Sequence, residues 1–459
     1  MGSQFLREES TINSIILHFK SVKVPSVGIF VAFVVAFLLH ATVSATVSNT
    51  VLSSIINAYL NWRFPIKSTN GQEDLPTLAY VFPNGQGNSE KLAESAKGQR
   101  TLEKTYGKIV LTRPHQVQAV FKDSNLHLKG ENFNQGWLCG QILGNCLGIL
   151  NLENWTRVRS ICVDIFQHNK APTHIPFIQQ RIDKQFQILQ STKQIQNKKM
   201  TLQPSEDLKL LSFQIFCDII YHDLTSTMET ELLSLLKLRE SIWVEVTKGG
   251  ICRFSFSQIL PTPTNRLLRT FKSKWEDFND RAYKRAKNIG LGPETPIILL
   301  YTALDEGRMK KIEVLHTLDE LLFENLDVSL GALAWNVIFL AAHPETQAEV
   351  RKEIAQAKEK DGEEAWVSYL LSNSTLIQAC ILESARLKPI VLFTTVQAIP
   401  SPRVVDDFVI PAGTHFVVDT HALNVSDPYW GDESTKYKPG RWLQSRSLTS
   451  ERVEAEAVV

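Results

Sequence analysis

Two carboxylates, Glu324 and Asp327, stand three residues apart inside an otherwise apolar run, with Leu321-Leu322-Phe323 before them and Leu330 after. On a helix that spacing puts both on one face. A carboxylate in such surroundings needs a partner or a task. It is half of a salt bridge, it lines a water-filled notch, or it delivers a proton beside a bound cofactor. Glu383 and Arg386 have the same spacing and can pair within one turn. Trp155 and Arg159, at i and i+4, share a helix face. The six cysteines are Cys139, Cys146, Cys162, Cys217, Cys252 and Cys380, and they form neither a CxxC pair nor a zinc spacing. Most have apolar neighbours, as in Ile215-Phe216-Cys217, and read as buried reduced thiols in a reducing compartment. No metal site follows from them.

These residues need elements to hold them. Asp319–Ala342 is predicted as one long helix, with Asp319 and Glu320 in the first turn, where carboxylates complement the dipole. Apolar on nearly all sides, it should run through the core. Glu324, Asn325 and Asp327 argue against its spanning a membrane. Pro344 opens the next helix, Glu345–Lys358. Helical patterns fill Asn151–Lys287, including Asp207–Tyr221 and Asn265–Ala286. Pro114–Asp123 is helical, and Glu383–Arg386 follows a helical stretch, Ser374–Leu382. Strand-like runs are few: Gly107–Thr112, Val391–Ala398, Val404–Ile410 and Thr414–Thr420. The expected class is mainly α with small β-sheets (α+β), without βαβ alternation.

With 43% hydrophobic and 21% charged residues among 459, the chain can bury a substantial core. A net charge of +1 gives no case for a nucleic-acid partner. From Val24 to Trp62 there is no Asp, Glu, Lys or Arg. About 20 apolar residues cross a bilayer, so this stretch reads as a retained transmembrane helix. A signal peptide cut after Val43-Ser44-Ala45 and a buried soluble helix are the other readings. The long preceding region with Glu8 and Glu9 is unusual for a signal peptide. The layout is a flank at 1–23, an anchor at 24–48, a linker at 49–87, a catalytic body at 88–442 and a tail at 443–459.

The order of the later motifs carries more than any one of them. After Glu383/Arg386 come Ile410-Pro411-Ala412-Gly413-Thr414, Asp427-Pro428 and Pro439-Gly440-Arg441-Trp442. Upstream stand Trp155-Thr156-Arg157-Val158-Arg159 and the long helix ending in His343-Pro344-Glu345. This succession resembles the cytochrome P450 family, the haem-thiolate monooxygenases, over most of the chain. The resemblance implies a P450-like fold. It implies that Trp155 and Arg159 bind haem through a propionate, and that Glu383, Arg386 and Arg441 form a buried haem-side charge network. It implies Asp327 and Ser329 as proton-delivery residues on the long helix. Trp243–Leu260, with Phe254 and Phe256, is expected to line the substrate pocket.

The chain departs from the family pattern twice. The small-Gly-x-acid-Thr stretch of the long helix reads Glu324-Asn325-Leu326-Asp327-Val328-Ser329, with Val328 where threonine is usual. Leu443–Val459 contains no Cys, Gly or Phe, so the loop that carries the family's cysteine ligand is expected to be missing and the C-terminal part incomplete. The implied function is oxidation of a lipophilic small molecule, most like fungal secondary-metabolite (mycotoxin-like) enzymes. Electrons would come from NADPH through a cytochrome P450 reductase. The implied place is the endoplasmic reticulum membrane, crossed once, with a cytosolic catalytic domain. The alternative is an inactive, membrane-bound remnant lacking the haem ligand.

Overall fold

The computed structural model describes residues 45–63, 65–77, 103–105, 108–165, 167, 170–193, 200–222, 224–359 and 362–443. The anchor expected at 24–48 lies outside them up to residue 44, and the tail lies outside from residue 444. The first element is helix α1, Ala45–Arg63, part of a unit separate from residues 66–77 and 92–459. The linker expected from residue 49 therefore begins as helix: no Pro or Gly interrupts 45–62.

In the second unit, β1 (Glu103–Thr105), β2 (Lys108–Leu111), β3 (Leu128–Lys129), β4 (Gln397–Ala398) and β7 (His415–Val418) make one sheet in the order β1-β2-β7-β4-β3. Only β2 and β7 run parallel, with Ile109 opposite Phe416. Both side chains are fully buried, in a small core closed by Val120 from helix α2, Pro114–Phe121. The Val404–Ile410 run is a hairpin instead of one strand: β5 (Arg403–Val405) and β6 (Phe408–Ile410) are joined by Asp406 and Asp407 at φ +47° and +63°. Asp tolerates this left-handed two-residue turn better than most side chains. Of Val391–Ala398 only the last two residues enter the sheet, while Ile390, Val391 and Leu392 are exposed.

The helical body contains α3 (Trp137–Leu143), α4 (Leu152–Cys162), α5 (Ala171–Thr192), α6 (Lys209–Tyr221), α7 (Ser226–Lys248), α8 (Pro263–Asn288) and α9 (Pro296–Asp305). The long helix follows as α10 (Lys311–Asp319), a π-helical turn at Glu320–Glu324, and α11 (Asn325–Ala342). Then come α12 (Pro344–Glu359), α13 (Glu363–Leu371) and α14 (Leu376–Leu387). The main core gathers Phe213, Phe271, Trp275, Phe278 and Phe323, with Trp275 and Phe323 ring centroids 5.0 Å apart.

The long helix starts eight residues before the expected Asp319. Its N-terminus is closed by Glu313, whose carboxylate accepts from the Lys310 amide at 2.8 Å. Asp319 and Glu320 lie inside the helix and are satisfied sideways, as described below. The expected burial holds only for the first half. Leu318, Leu322 and Leu326 are buried, but from Val328 on the side chains are half-buried, with Trp335 and Ile338 exposed. The Glu383–Arg386 pair does not follow a helix but ends one, in the last turns of α14.

Candidate functional site

Glu383 is fully buried and its carboxylate accepts five N–H groups. Arg386 gives Nε at 2.9 Å and Nη2 at 2.8 Å, Lys438 its amide at 3.0 Å, Arg441 Nε at 3.1 Å and Trp442 Nε1 at 2.9 Å. Burial pushes the carboxyl up, but these donors outweigh it and hold it below its ordinary value. Arg386 also donates to the carbonyls of Asn424 and Ser434, so one guanidinium ties three chain segments together. The Trp430 ring lies 4.6 Å from the Arg386 guanidinium and 5.8 Å from that of Arg441. The three residues read from the sequence are thus in contact, with two tryptophans added.

At the π-turn the charges are also paired. Arg239 on α7 donates Nε to both carboxylate oxygens of Asp319, at 2.9 and 3.1 Å, with both residues buried. Its Nη2 is 3.5 Å from Glu324 Oε2. Burial pushes the Asp319 carboxyl up to about 7, against the pull of Arg239. Glu320 accepts from the Gly148 amide at 3.1 Å. Glu324 therefore takes the salt-bridge reading. A π-turn is rare and is often found at functional sites; this one immediately precedes Asp327 and Ser329. Ser329 is half-buried on α11. Asp327 is on the same helix, and its side chain lies outside the described residues.

Trp155 on α4 is half-buried, with two cations against its ring. Arg159 lies 5.0 Å and the Lys129 ammonium 5.4 Å from the indole centroid, both within cation–π reach. Lys129 is held by a reciprocal pair of bonds: its amide donates to Asn151 Oδ1 at 2.8 Å, and Asn151 Nδ2 donates to its carbonyl at 3.2 Å. The neighbouring Arg157 takes a structural part, bonding both oxygens of Glu313 at 2.6 and 3.0 Å. Lys129 also lines a cavity of about 450 Å³, together with Asn132, Trp137, Gln141, Asn145 and Asn151. Sequence reading missed Lys129, which reaches the indole from β3. Phe254 and Phe256 do not line this cavity; they are exposed and stacked on one another at 5.7 Å.

The implied cofactor is a ring bearing two carboxylates and an iron that takes a thiolate. Lys129 and Arg159 around one indole suit the carboxylates, since charge-assisted bonds to them are strong. The six cysteines do not supply the sulfur. Cys139, Cys146, Cys162 and Cys217 belong to the main core, and Cys380 packs with Tyr437 and Val350. Cys252 is half-buried, and burial pushes all six thiols up. None lines the cavity. The residues present fit the carboxylate edge of haem and leave its sulfur ligand unmatched among these six.

Residues 102–455 match the family described as Cytochrome P450. The chain is 41% identical over 403 residues to the cytochrome P450 monooxygenase aclC of Aspergillus oryzae, covering 85% of this chain and 80% of that protein. It is 38% identical over 398 residues to the cytochrome P450 monooxygenase asaD of Aspergillus flavus, covering 84% and 76%. A zebra fish cytochrome P450 structure with progesterone has the same fold, with a TM-score of 0.58 at 17% identity, over 73% of this chain and 78% of that one. A helical body with small sheets, a Glu383–Arg386–Arg441 network around a buried carboxylate and these relatives together show that the chain belongs to the cytochrome P450 family of haem-dependent monooxygenases.

Proposed function

We propose that this chain oxidises a lipophilic small molecule in fungal secondary metabolism. It takes electrons from NADPH through a cytochrome P450 reductase and is anchored in the endoplasmic reticulum membrane by one helix at 24–48, its body in the cytosol. The observation that carries the reading is the Lys129–Trp155–Arg159 arrangement beside the 450 Å³ cavity. The relatives named above are monooxygenases from Aspergillus species. For the anchor, helix α1 leaves Val51, Ile55, Tyr59 and Trp62 exposed, an apolar and aromatic stripe that suits a bilayer interface.

Haem, when bound, supplies the iron chemistry that activates dioxygen. The chain's own residues do the rest. Lys129, Trp155 and Arg159 hold the carboxylate edge. Glu383, Arg386 and Arg441 fix the segment that follows α14. Asp327 and Ser329 pass a proton from the long helix into the site, downstream of a π-turn clamped by Arg239. The test is the full-length chain in microsomes with reductase, NADPH and a panel of lipophilic compounds, read by mass spectrometry. An NADPH-dependent gain of one oxygen atom supports the reading. A chain that takes up no haem and gives no such product contradicts it.

A further inference from the structure

The π-turn at Glu320–Glu324 bonds i to i+5, so the long helix carries one residue more there than an α-helix would. Two sets of contacts around it engage single residues. Phe323 packs into the aromatic core, 5.9 Å from Phe213, 5.0 Å from Trp275 and 6.1 Å from Phe271. Glu320 takes the Gly148 amide at 3.1 Å, and a Cβ on Gly148 would collide with its Oε1. A regular helix could make either of these.

A third contact needs the π-turn. Arg239, 3% exposed, reaches from α7 with Nε on the Asp319 carboxylate and Nη2 3.5 Å from Glu324 Oε2. Asp319 and Glu324 are five residues apart. In a regular α-helix they would point about 140° apart, too far for one guanidinium to meet both. A turn that closes at i+5 brings them onto one face. Trp243, one turn along α7, lies 4.9 Å from the guanidinium, within cation–π reach. The planar fork of arginine can hold two carboxylates at once, whereas a lysine ammonium is a single point charge.

The extra residue shifts the phase of all that follows. Beyond the turn, each residue takes the place that its predecessor would have in an unbroken α-helix, a rotation of about 100°. Ser329 on α11 therefore stands, relative to α10, where Val328 would stand without the turn. We propose that Arg239 is a positioning residue for the oxidation: by bridging Asp319 and Glu324 it holds the π-turn, and the turn presents the Ser329 hydroxyl to the site in place of the Val328 side chain. Valine has neither donor nor acceptor, so without the bridge this point of the helix could not pass a proton. Arg239 acts through the helix and takes no part in the transfer itself. This rests on the reading that Ser329 belongs to the proton route.

Thiol labelling reads the phase of the helix and needs neither haem nor substrate. Val328→Cys and Ser329→Cys are placed one at a time in the full-length chain and in its Arg239→Met variant. Each is treated with N-ethylmaleimide at mildly alkaline pH and followed by peptide mass spectrometry, which separates the new thiol from the native ones. In the wild-type background the Ser329→Cys thiol should react about tenfold faster than the Val328→Cys thiol, since burial that raises a thiol's pKa by about one unit leaves about tenfold less thiolate. In Arg239→Met the order should reverse. Glu324→Ala should reverse it too; it removes one end of the bridge at a half-buried side chain and leaves Asp319 to balance Arg239, so the test stands even if Arg239→Met fails to fold. Arg239→Lys keeps the charge without the fork and should behave like Arg239→Met; a wild-type order there would mean that charge alone suffices and would overturn the bridge. So would an unchanged order in Arg239→Met and Glu324→Ala, or a Val328→Cys thiol that is already the faster in the wild-type background. In microsomes with reductase and NADPH, a compound that the wild-type chain oxidises should turn over about a hundredfold more slowly in Arg239→Met at unchanged KM; an unchanged kcat would overturn the role in the reaction. A chain that shows the reversal but oxidises nothing would remove the oxidation reading and leave the bridged helix standing.

Discussion

Replacing Glu383 tests the charge network that holds the end of α14. The carboxylate is fully buried and accepts five N–H groups, two of them from Arg386, itself 3% exposed. In Glu383→Ala the Arg386 guanidinium keeps its bonds to the Asn424 and Ser434 carbonyls but loses the carboxylate that balances its charge. An uncompensated buried charge of this kind costs about 3–5 kcal/mol. Arg386→Met should cost less. Glu383 would still accept from the Lys438 amide, Arg441 and Trp442, three donors that continue to stabilise its charge. The double variant should cost less than the sum, with a coupling of about 2–3 kcal/mol, the upper range for residues in direct contact. The assay is equilibrium unfolding in urea followed by tryptophan fluorescence, since Trp430 lies on both guanidinium groups. The same network makes wild-type stability fall on acidification, because a carboxyl held below its ordinary value favours folding above that value and loses this as it protonates. A single-variant cost under about 1 kcal/mol, or additive single variants, would refute the reasoning.

Two further outcomes follow from the same physics. Asp319, raised to about 7 by burial, keeps its proton in the folded chain where the unfolded chain releases it near its ordinary value. Stability should therefore fall as pH rises from about 4 to about 7, by a few kcal/mol at most, and level off above. Asp319→Asn should flatten that slope in pH-dependent unfolding; an unchanged slope would exclude Asp319 as its source. Phe278 is fully buried, stacked on Trp275 at 6.1 Å and edge-on to Tyr221 at 5.6 Å, so Phe278→Ala should cost about 3–5 kcal/mol. The exposed Phe254→Ala should change stability by about 0.5 kcal/mol or less, and a larger loss would mean that Phe254 is packed.

What could be read from the sequence was what is local along it. The part of Arg441 was implied by the family resemblance and that of Trp442 was not foreseen, whereas Glu383 and Arg386 lie one turn apart, so their pairing could be anticipated from spacing. The mainly helical class was legible for the same reason. Lys129 and Trp155 are brought together only by β3 and the Asn151 bonds, and no periodicity marks such an approach. The start of the long helix was misplaced because an acidic pair before an apolar run looks like an N-terminus. Here Arg239, 80 residues away in sequence, satisfies Asp319 from the side, so the helix passes through. The π-turn leaves no pattern at all, since tertiary contacts impose it.

The most direct test of the account is whether Lys129, Trp155 and Arg159 grip haem by its carboxylates. Haem and its dimethyl ester, which has lost both charges, are titrated into the full-length chain and into Arg159→Ala, with quenching of tryptophan fluorescence as the readout. Loss of a charge-assisted bond should weaken haem binding by roughly tenfold or more and leave the ester's affinity unchanged. If Arg159→Ala binds haem as tightly as the wild-type chain does, or loses affinity equally for both ligands, the site has been wrongly placed.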